Sequence, residues 1–212
     1  MLPEPSPLIA ILRGVTPDDV VDIGRALIEN GIRSIEVPLN SPQALESIRR
    51  LRQTFGSGCL CGAGTVLDTS QVDEVFAAGG SLIVSPNTDA RVIRRALSLG
   101  LMVMPGFATA TEAFTAIEAG ATSLKLFPAA TYGTSHLQAL RAVLPRHVRV
   151  HAVGGVGSHN LAEWVRAGVD GFGIGTSLFR PGQSAGEVAR AAAALVSAFQ
   201  AAANEKNRDT RY

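Results

Sequence analysis

Lys125 is the residue whose type and surroundings point most directly to covalent chemistry. It lies in the apolar run SLKLFP (123–128), and of the 19 lysines and arginines in the chain only Lys125 and Lys206 are lysines. Arginine keeps its proton, whereas a lysine removed from water loses its proton near neutral pH and attacks a ketone to form an imine. Two structural alternatives remain open: a side chain that reaches out to solvent, or an ion pair with Glu36.

Glu36, in the run SIEVPL (34–39), is a suitable partner for such an amine. Side chains alternate along a strand, so Glu36 faces away from Ile35 and Val37. A buried carboxylate is unfavourable unless it is paired or used, and beside an amine it can relay protons as a general acid and base. The alternative is a purely structural ion pair between Glu36 and Arg13.

Two glycine-rich segments, AVGGV (152–156) and GIGTS (173–177), have the composition of a phosphate-binding site. Glycine lets backbone N–H groups approach a phosphate closely, and hydroxyl groups add further donors. Tight turns that bind nothing are the alternative. The residues that we expect to contact phosphate are Gly154, Gly155, Gly175, Thr176 and Ser177.

Arg13 and Thr65 are candidates for binding a carboxylate. Arg13 ends the run PLIAILR (7–13), and its guanidinium suits two-point binding of a carboxylate, with an ion pair at the rim as the alternative. Thr65 follows GAG (62–64) and can donate a hydrogen bond to the same group. No set of His, Asp and Glu at the ends of the apolar runs forms a convincing metal site, so we expect no metal ion.

Apolar runs that alternate with amphipathic stretches indicate the elements that position these residues. We expect strands at 7–13, 34–39, 59–64, 81–86, 101–106, 123–128, 148–155 and 170–175. The stretches between them have helical patterns that end at glycine, and Thr16 or Asp18 is the expected cap of the first. Eight such units predict an α/β fold of the (β/α)8 TIM-barrel class, with a doubly wound sheet as the rival. We place a single domain at 1–200 and a flexible C-terminal tail at 201–212.

The barrel prediction places the chemistry, because active sites of such barrels lie at the carboxyl ends of the strands. All the residues selected above lie at or just after the ends of apolar runs. A net charge of +1 and an aromatic content of 5% argue against nucleic acid as a partner. No signal-peptide pattern occurs, and no run approaches the roughly 18 apolar residues of a membrane span, so we expect a cytoplasmic protein without a membrane partner.

From about residue 7 to residue 200, the sequence resembles the KDPG and KDPGal aldolases, a family that acts on phosphorylated 2-keto-3-deoxy sugar acids. The stretches that carry the resemblance are PLIAILRG, IEVPLNSP, GAGTVL, IVSPN, PGFATATEAF, LKLFPA and AVGGV. The resemblance implies a homotrimeric class I aldolase that forms pyruvate and glyceraldehyde 3-phosphate without a cofactor. It makes Lys125 the Schiff-base lysine and Glu36 the proton relay.

The resemblance also implies how the substrate is bound. Arg13 and Thr65 would hold the pyruvyl carboxylate, Phe127 would pack against the imine, and Pro105 would line the pyruvate pocket. The phosphate contacts would come from Gly154, Gly155, Gly175 and Thr176 or Ser177.

Asn40 is a departure within the family. KDPG aldolases usually have arginine in the segment EVTLRT, where this chain has EVPLNS with Asn40. The asparagine form, together with the ILRG start, is similar to the KDPGal branch, whose substrate is the C4 epimer. The alternatives are a KDPG aldolase, another phosphosugar barrel enzyme such as an epimerase, and a barrel that binds a phosphometabolite without turning it over.

Overall fold

The computed structural model describes residues 6–209, and their central element is one parallel β-sheet. Its strands are β1 (Leu8–Ile11), β2 (Ser34–Pro38), β3 (Leu60–Gly64), β4 (Leu82–Val84), β5 (Met102–Met104), β6 (Gly106–Phe107), β7 (Ser123–Leu126), β8 (Arg149–Val153) and β9 (Gly171–Ile174). The helices are α1 (Val20–Glu29), α2 (Ala44–Phe55), α3 (Thr69–Ala77), α4 (Ala90–Ser98), α5 (Ala110–Glu118), α6 (Ala129–Arg141), α7 (Leu161–Arg166) and α8 (Ala185–Asp209). Each predicted apolar run contains a strand.

The prediction of eight strands is corrected to nine within the described residues, because the run 101–106 divides at Pro105. Proline has no N–H to donate to the strand ladder, so the ladder is interrupted there. The piece before Pro105 pairs with β4 and the piece after it pairs with β7. One interrupted strand therefore serves both of its neighbours.

The strand order makes the sheet a nearly closed barrel. The order is β5-β4-β3-β2-β1-β9-β8-β7-β6, so its two ends are the pieces that Pro105 joins. Strands β1 and β9, from opposite ends of the chain, pair in the middle of this order, with Leu8 opposite Phe172. Strands β2 and β7 lie across the barrel from each other, because β1, β9 and β8 separate them on one side.

Alternation along the strands divides the core into two parts. Ile35 and Val37 belong to the large cluster in which the sheet packs against the helices. Ile9, Leu60, Leu82, Val84 and Met104 form a separate, smaller cluster. We assign this smaller cluster to the interior of the barrel, where it fills the space below the strand ends.

Helix termini follow the sequence signals, with one exception. Asp89 caps α4 by accepting from the N–H of Arg91, and Thr109 forms a capping box with Glu112 at the start of α5. The expected helix stops all have positive φ, between 71° and 104°: Gly31, Gly79, Gly100, Gly120 and Gly168. The exception is the first helix, where the agreement is partial: the hydroxyl of Thr16 accepts from the N–H of Asp19, 3.4 Å away, but α1 itself begins only at Val20, with Asp19 at its N-cap.

Helix α8 runs to Asp209, so residues 201–209 of the expected tail are helical. The segment AAANEK (201–206) contains good helix formers, which explains why the helix continues past residue 200. Residues 210–212 of the expected tail lie outside the described residues. Between residues 6 and 209, no helix combines the length and the apolar character needed to cross a membrane.

Candidate active site

A cavity of about 460 Å³ opens at the carboxyl ends of the strands. Several strand ends and the loops that follow them contribute to its wall, as expected for a barrel of this type. The lining residues are Ile11, Arg13, Glu36, Thr65, Pro86, Lys125, Phe127, Val153, Gly154, Gly155, Val156, His159, Gly173, Gly175, Thr176 and Ser177. All of the site residues that the sequence suggested are in this set, with the exception of Pro105.

Pro105 is buried in the barrel wall beside Lys125 rather than in the lining of the cavity. Its carbonyl oxygen accepts a hydrogen bond of 2.9 Å from the backbone N–H of Lys125. The sequence places Pro105 at a strand end, but the strand breaks there and the chain continues as β6. Its contact with the site therefore passes through the backbone of the lysine.

Lys125 lies on β7 with its side chain inside the barrel, and it is only 6% exposed. Its Nζ lies 4.9 Å from the centre of the Phe127 ring. Burial lowers the pKa of Lys125 below its ordinary value, and the positive charge of Arg13 acts in the same direction, while the negative charge of Glu36 opposes both. The fraction of free amine near neutral pH is therefore raised.

Glu36 faces the same cavity from β2 and is 2% exposed. Burial raises the pKa of its carboxyl group, and the charges of Lys125 and Arg13 partly offset that rise. Its Oε2 atom is buried and has no hydrogen-bond partner within the described residues. An unsatisfied buried carboxylate oxygen is costly, so a hydrogen bond from a water molecule or a substrate would stabilise it.

The two groups face each other from strands on opposite sides of the barrel. Among the ion pairs between described residues, none joins Glu36 to Lys125 or to Arg13. A closed ion pair would satisfy the carboxylate and occupy the amine. The open arrangement leaves room for reacting atoms between an amine and a carboxylate that still influence each other's pKa.

Arg13 lines the cavity, and a hydrogen bond to Asn40 fixes its guanidinium group. Its Nη1 donates a hydrogen bond of 2.6 Å to Oδ1 of Asn40, in the loop after β2. The backbone N–H of Gly14 donates to the hydroxyl oxygen of Ser41, 2.9 Å away. The loop that carries Arg13 is thus fixed to the Asn40–Ser41 segment by two hydrogen bonds, and this pair links the Asn40 signature to the cavity.

Thr65 has an unusual backbone conformation at the end of β3. Its φ is 60°, in the left-handed region that β-branched residues rarely adopt. The preceding residue, Gly64, is bonded through its carbonyl to the N–H of Leu39, and the following N–H, of Val66, bonds to Val84. Strain of this kind persists where surrounding contacts hold it and is concentrated at functional sites.

The glycine turns after β8 and β9 form the other end of the cavity. Gly154 and Gly155 have φ of 94° and 73°, which glycine adopts without strain. A Cβ atom on Gly154 would press against the Phe127 ring, and one on Gly155 would overlap the side chain of Ala130. Ser177 donates its hydroxyl to the carbonyl of Val156, 3.2 Å away, which ties the two turns together.

Six lining residues were not among the contacts expected from the sequence: Ile11, Pro86, Val153, Val156, His159 and Gly173. Val153 and Val156 flank the glycine pair within the AVGGV segment, and Gly173 begins the GIGTS segment. His159 belongs to a turn before α7 that has no distinctive motif, so only the folded chain places it here. Across residues 6–209, no group of three or more His, Cys, Asp and Glu side chains is close enough to hold a metal ion.

Comparison with known proteins agrees with this arrangement. The family model for KDPG and KHG aldolase matches residues 4–193. The 2-dehydro-3-deoxy-6-phosphogalactonate aldolase of Escherichia coli K12 is 51% identical over 196 residues, which make up 92% of this chain and 96% of the relative.

Two solved structures superpose over nearly the whole chain. A native KDPGal structure is 50% identical with a TM-score of 0.92, and the match covers 94% of this chain and 97% of that one. A cube-shaped, highly porous protein cage, designed by fusing symmetric oligomeric domains, is 49% identical with a TM-score of 0.95, and the match covers 97% of this chain and 76% of that one.

A family model that spans most of the chain, relatives at about half identity and a cavity with a buried amine opposite a buried carboxylate lead to one conclusion. The chain belongs to the KDPG and KHG aldolase family and is an aldolase, a carbon–carbon lyase.

Proposed function

We propose that this aldolase cleaves 2-dehydro-3-deoxy-6-phosphogalactonate reversibly into pyruvate and D-glyceraldehyde 3-phosphate through a Schiff base on Lys125. The observation that carries the proposal is the pair formed by Lys125 and Glu36. Both are buried, both line one cavity from opposite strands, and each has the pKa shift that its task needs. A free amine and a carboxylate that can take up a proton are the two groups that this reaction requires.

The reaction proceeds through an imine and an enamine on Lys125. The Lys125 amine attacks the C2 ketone, and the resulting carbinolamine takes up a proton on its hydroxyl group and loses water to give a protonated imine. Glu36, directly or through a water molecule, takes the proton of the C4 hydroxyl as the C3–C4 bond breaks, and the electron pair of that bond moves to the imine to form an enamine. Glyceraldehyde 3-phosphate leaves, C3 of the enamine takes up the proton that Glu36 holds, and water hydrolyses the pyruvyl imine to free Lys125.

The two ends of the cavity suit the two charged ends of the substrate. Arg13, fixed by Asn40, would bind the carboxylate together with Thr65, and Phe127 would pack beside the imine. Pro105 would position Lys125 indirectly, because its carbonyl oxygen accepts a hydrogen bond from the backbone N–H of Lys125. The phosphate would be bound at the turns formed by Gly154, Gly155, Gly175, Thr176 and Ser177. Fixing both ends determines which bond is cleaved.

The covalent step is tested by reduction with borohydride in the presence of pyruvate. We expect a pyruvyl-sized mass increase on Lys125 in the wild-type chain and none in Lys125→Arg, which keeps the charge but lacks a nucleophilic amine. Lys206→Arg is the matched control, because Lys206 lies on α8, outside the cavity lining, and this variant should still form the adduct. An active wild-type protein without the adduct would overturn the mechanism.

The galactonate preference is tested by measuring pyruvate release from the two C4 epimers side by side. The support for this preference is the Asn40 form of the loop and the name of the 51% identical relative. We expect the galactonate epimer to have the higher kcat/KM. Equal values for the two epimers would remove the branch assignment and leave the Schiff-base chemistry intact.

We also propose a single-domain (β/α)8 barrel that assembles as a homotrimer. Exposed apolar side chains on neighbouring helices support assembly, since Phe76 lies on α3, Leu97 on α4 and Phe114 on α5. The designed cage that superposes on this chain was built from symmetric oligomeric domains. Light scattering coupled to size-exclusion chromatography should give three times the 22.1 kDa chain mass; a monomer would contradict the proposal.

A further inference from the structure

His159 contributes a titratable side chain to the end of the cavity where the phosphate is expected. The lining contains four titratable side chains, and three of them, Arg13, Glu36 and Lys125, interact electrostatically with one another. These three form the end where the keto acid reacts. His159 is the fourth, and it follows the Gly154–Gly155 turn.

The His159 side chain lies close to Gly157 and to Ser177. A Cβ atom on Gly157 would lie 3.2 Å from Nδ1 of His159 and 2.9 Å from Oγ of Ser177. The imidazole and the hydroxyl therefore approach the same point of the backbone. Since Ser177 is one of the expected phosphate contacts, the imidazole lies beside that subsite rather than on a remote part of the rim.

The other expected phosphate contacts are neutral groups. Backbone N–H groups and hydroxyls donate hydrogen bonds, but a phosphate ester carries a charge of about −1.5 to −2 at pH 7. A nearby imidazole adds an N–H donor in either protonation state and a positive charge when protonated. An imidazole would strengthen phosphate binding at this subsite. The cationic side chains Arg13 and Lys125 of the cavity lining both lie at the end where the keto acid reacts.

Two charged side chains close to this part of the chain bond to other groups. Glu163, on α7, accepts a hydrogen bond from the hydroxyl of Thr134, 3.0 Å away. Arg180 donates from Nε to the carbonyl of Thr176, 3.2 Å away, and does not line the cavity. Between residues 6 and 209, no ion pair joins the imidazole to either of these side chains.

We propose that His159 is a specificity-determining residue that binds the substrate phosphate and sets the preference for phosphorylated over unphosphorylated 2-keto-3-deoxy sugar acids. This inference rests on the proposed function of the same cavity. It assigns to His159 a role that the glycine turns alone would not provide, which is the recognition of charge.

The test compares His159→Gln with the wild-type enzyme on the phosphorylated sugar acid and on its unphosphorylated analogue. We expect KM for the phosphorylated substrate to rise about tenfold more than KM for the analogue, with a small effect on kcat, as for the loss of one charge-assisted hydrogen bond. His147→Gln is the matched control, because His147 is exposed in the turn before β8 at the other end of the barrel, and it should leave the KM ratio at the wild-type value. Equal changes for both substrates, or no change, would overturn the proposal.

A second measurement does not depend on turnover. Inorganic phosphate is titrated into the wild-type protein while the ring signals of its four histidines are followed by NMR. We expect one ring signal to shift, and we expect that signal to be missing from His159→Gln. If the borohydride adduct fails to form but this shift occurs, the aldolase proposal fails and the phosphate contact stands. If the adduct forms and no ring signal shifts, the proposal for His159 fails alone.

Discussion

A Cβ atom on Gly64 would overlap the carboxylate of Glu36. The two residues lie on neighbouring strands, β3 and β2, and the missing side chain at position 64 is the space in which the carboxylate sits. Glycine is needed here for room, because its φ is not in the left-handed region. Gly64 thus determines where the proposed proton relay points.

Gly64→Ala should separate proton transfer from imine formation. The added methyl group displaces the Glu36 carboxylate, so kcat should fall by about 100-fold or more, the usual contribution of a positioned general acid or base. The borohydride adduct with pyruvate should still form, because Lys125 is on the opposite strand. Gly186→Ala, where a methyl group has space on α8, is the control and should keep full activity. Unchanged cleavage by Gly64→Ala would remove Glu36 from the relay.

Removing Glu36 or Arg13 should shift the pH profile of imine formation in opposite directions. Glu36 raises the pKa of Lys125 and Arg13 lowers it. In Glu36→Gln the pKa of Lys125 falls further, the free amine persists at lower pH, and the acid limb moves down. In Arg13→Gln that pKa rises and the acid limb moves up. The measurement is the rate of pyruvate trapping by cyanoborohydride as a function of pH, and shifts in the same direction would refute the assignment.

Asn40→Leu should weaken substrate binding through Arg13. Without the 2.6 Å hydrogen bond to Oδ1, the guanidinium is no longer held toward the cavity. We expect KM to rise about 3- to 10-fold, because an exposed hydrogen bond contributes about 1 kcal/mol, with kcat much less affected. Steady-state kinetics on both epimers measure this change. If Arg13→Gln already raises KM and the double variant is no worse, Asn40 acts through Arg13; additive effects would separate the two residues.

Asp89→Ala should lower stability without touching the site. The Asp89 side chain caps α4 by accepting from the N–H of Arg91, and an N-cap of this type contributes about 1 kcal/mol. The free energy of unfolding from urea denaturation should fall by about that amount. Asp89→Asn, which retains the acceptor, should recover most of it. Glu29→Ala, at the exposed end of α1, is the surface control, and an equal loss there would contradict the cap.

The sequence was informative where one local signal is sufficient. Apolar runs located the strands, and the rule that barrel active sites lie at strand ends predicted a shared site for Lys125 and Glu36. The residue types of Lys125 and Glu36 were also compatible with a structural ion pair between them. The structure decides between an ion pair and an open arrangement because the distance between β2 and β7 depends on how the whole sheet curves.

The differences arise where tertiary packing outweighs local pattern. Pro105 belongs to an apolar run that continues as a strand, but its missing N–H divides that strand, and Pro105 itself is buried outside the cavity lining. His159 belongs to an ordinary polar turn, and only the fold brings that turn next to Ser177. Neither result follows from spacing along the chain.

The break in the strand at Pro105 also affects how the protein avoids aggregation through the edges of its sheet. An open sheet has two edge strands whose unpaired N–H and C=O groups invite pairing with another chain. Here the terminal strands of the order are β5 and β6, only three and two residues long, and a single proline joins them. Each edge is too short to template strand addition, and proline removes a donor where the two meet. The nearly closed sheet should therefore resist edge-to-edge aggregation, whereas folding intermediates that have not yet brought β5 and β6 together are the species at risk.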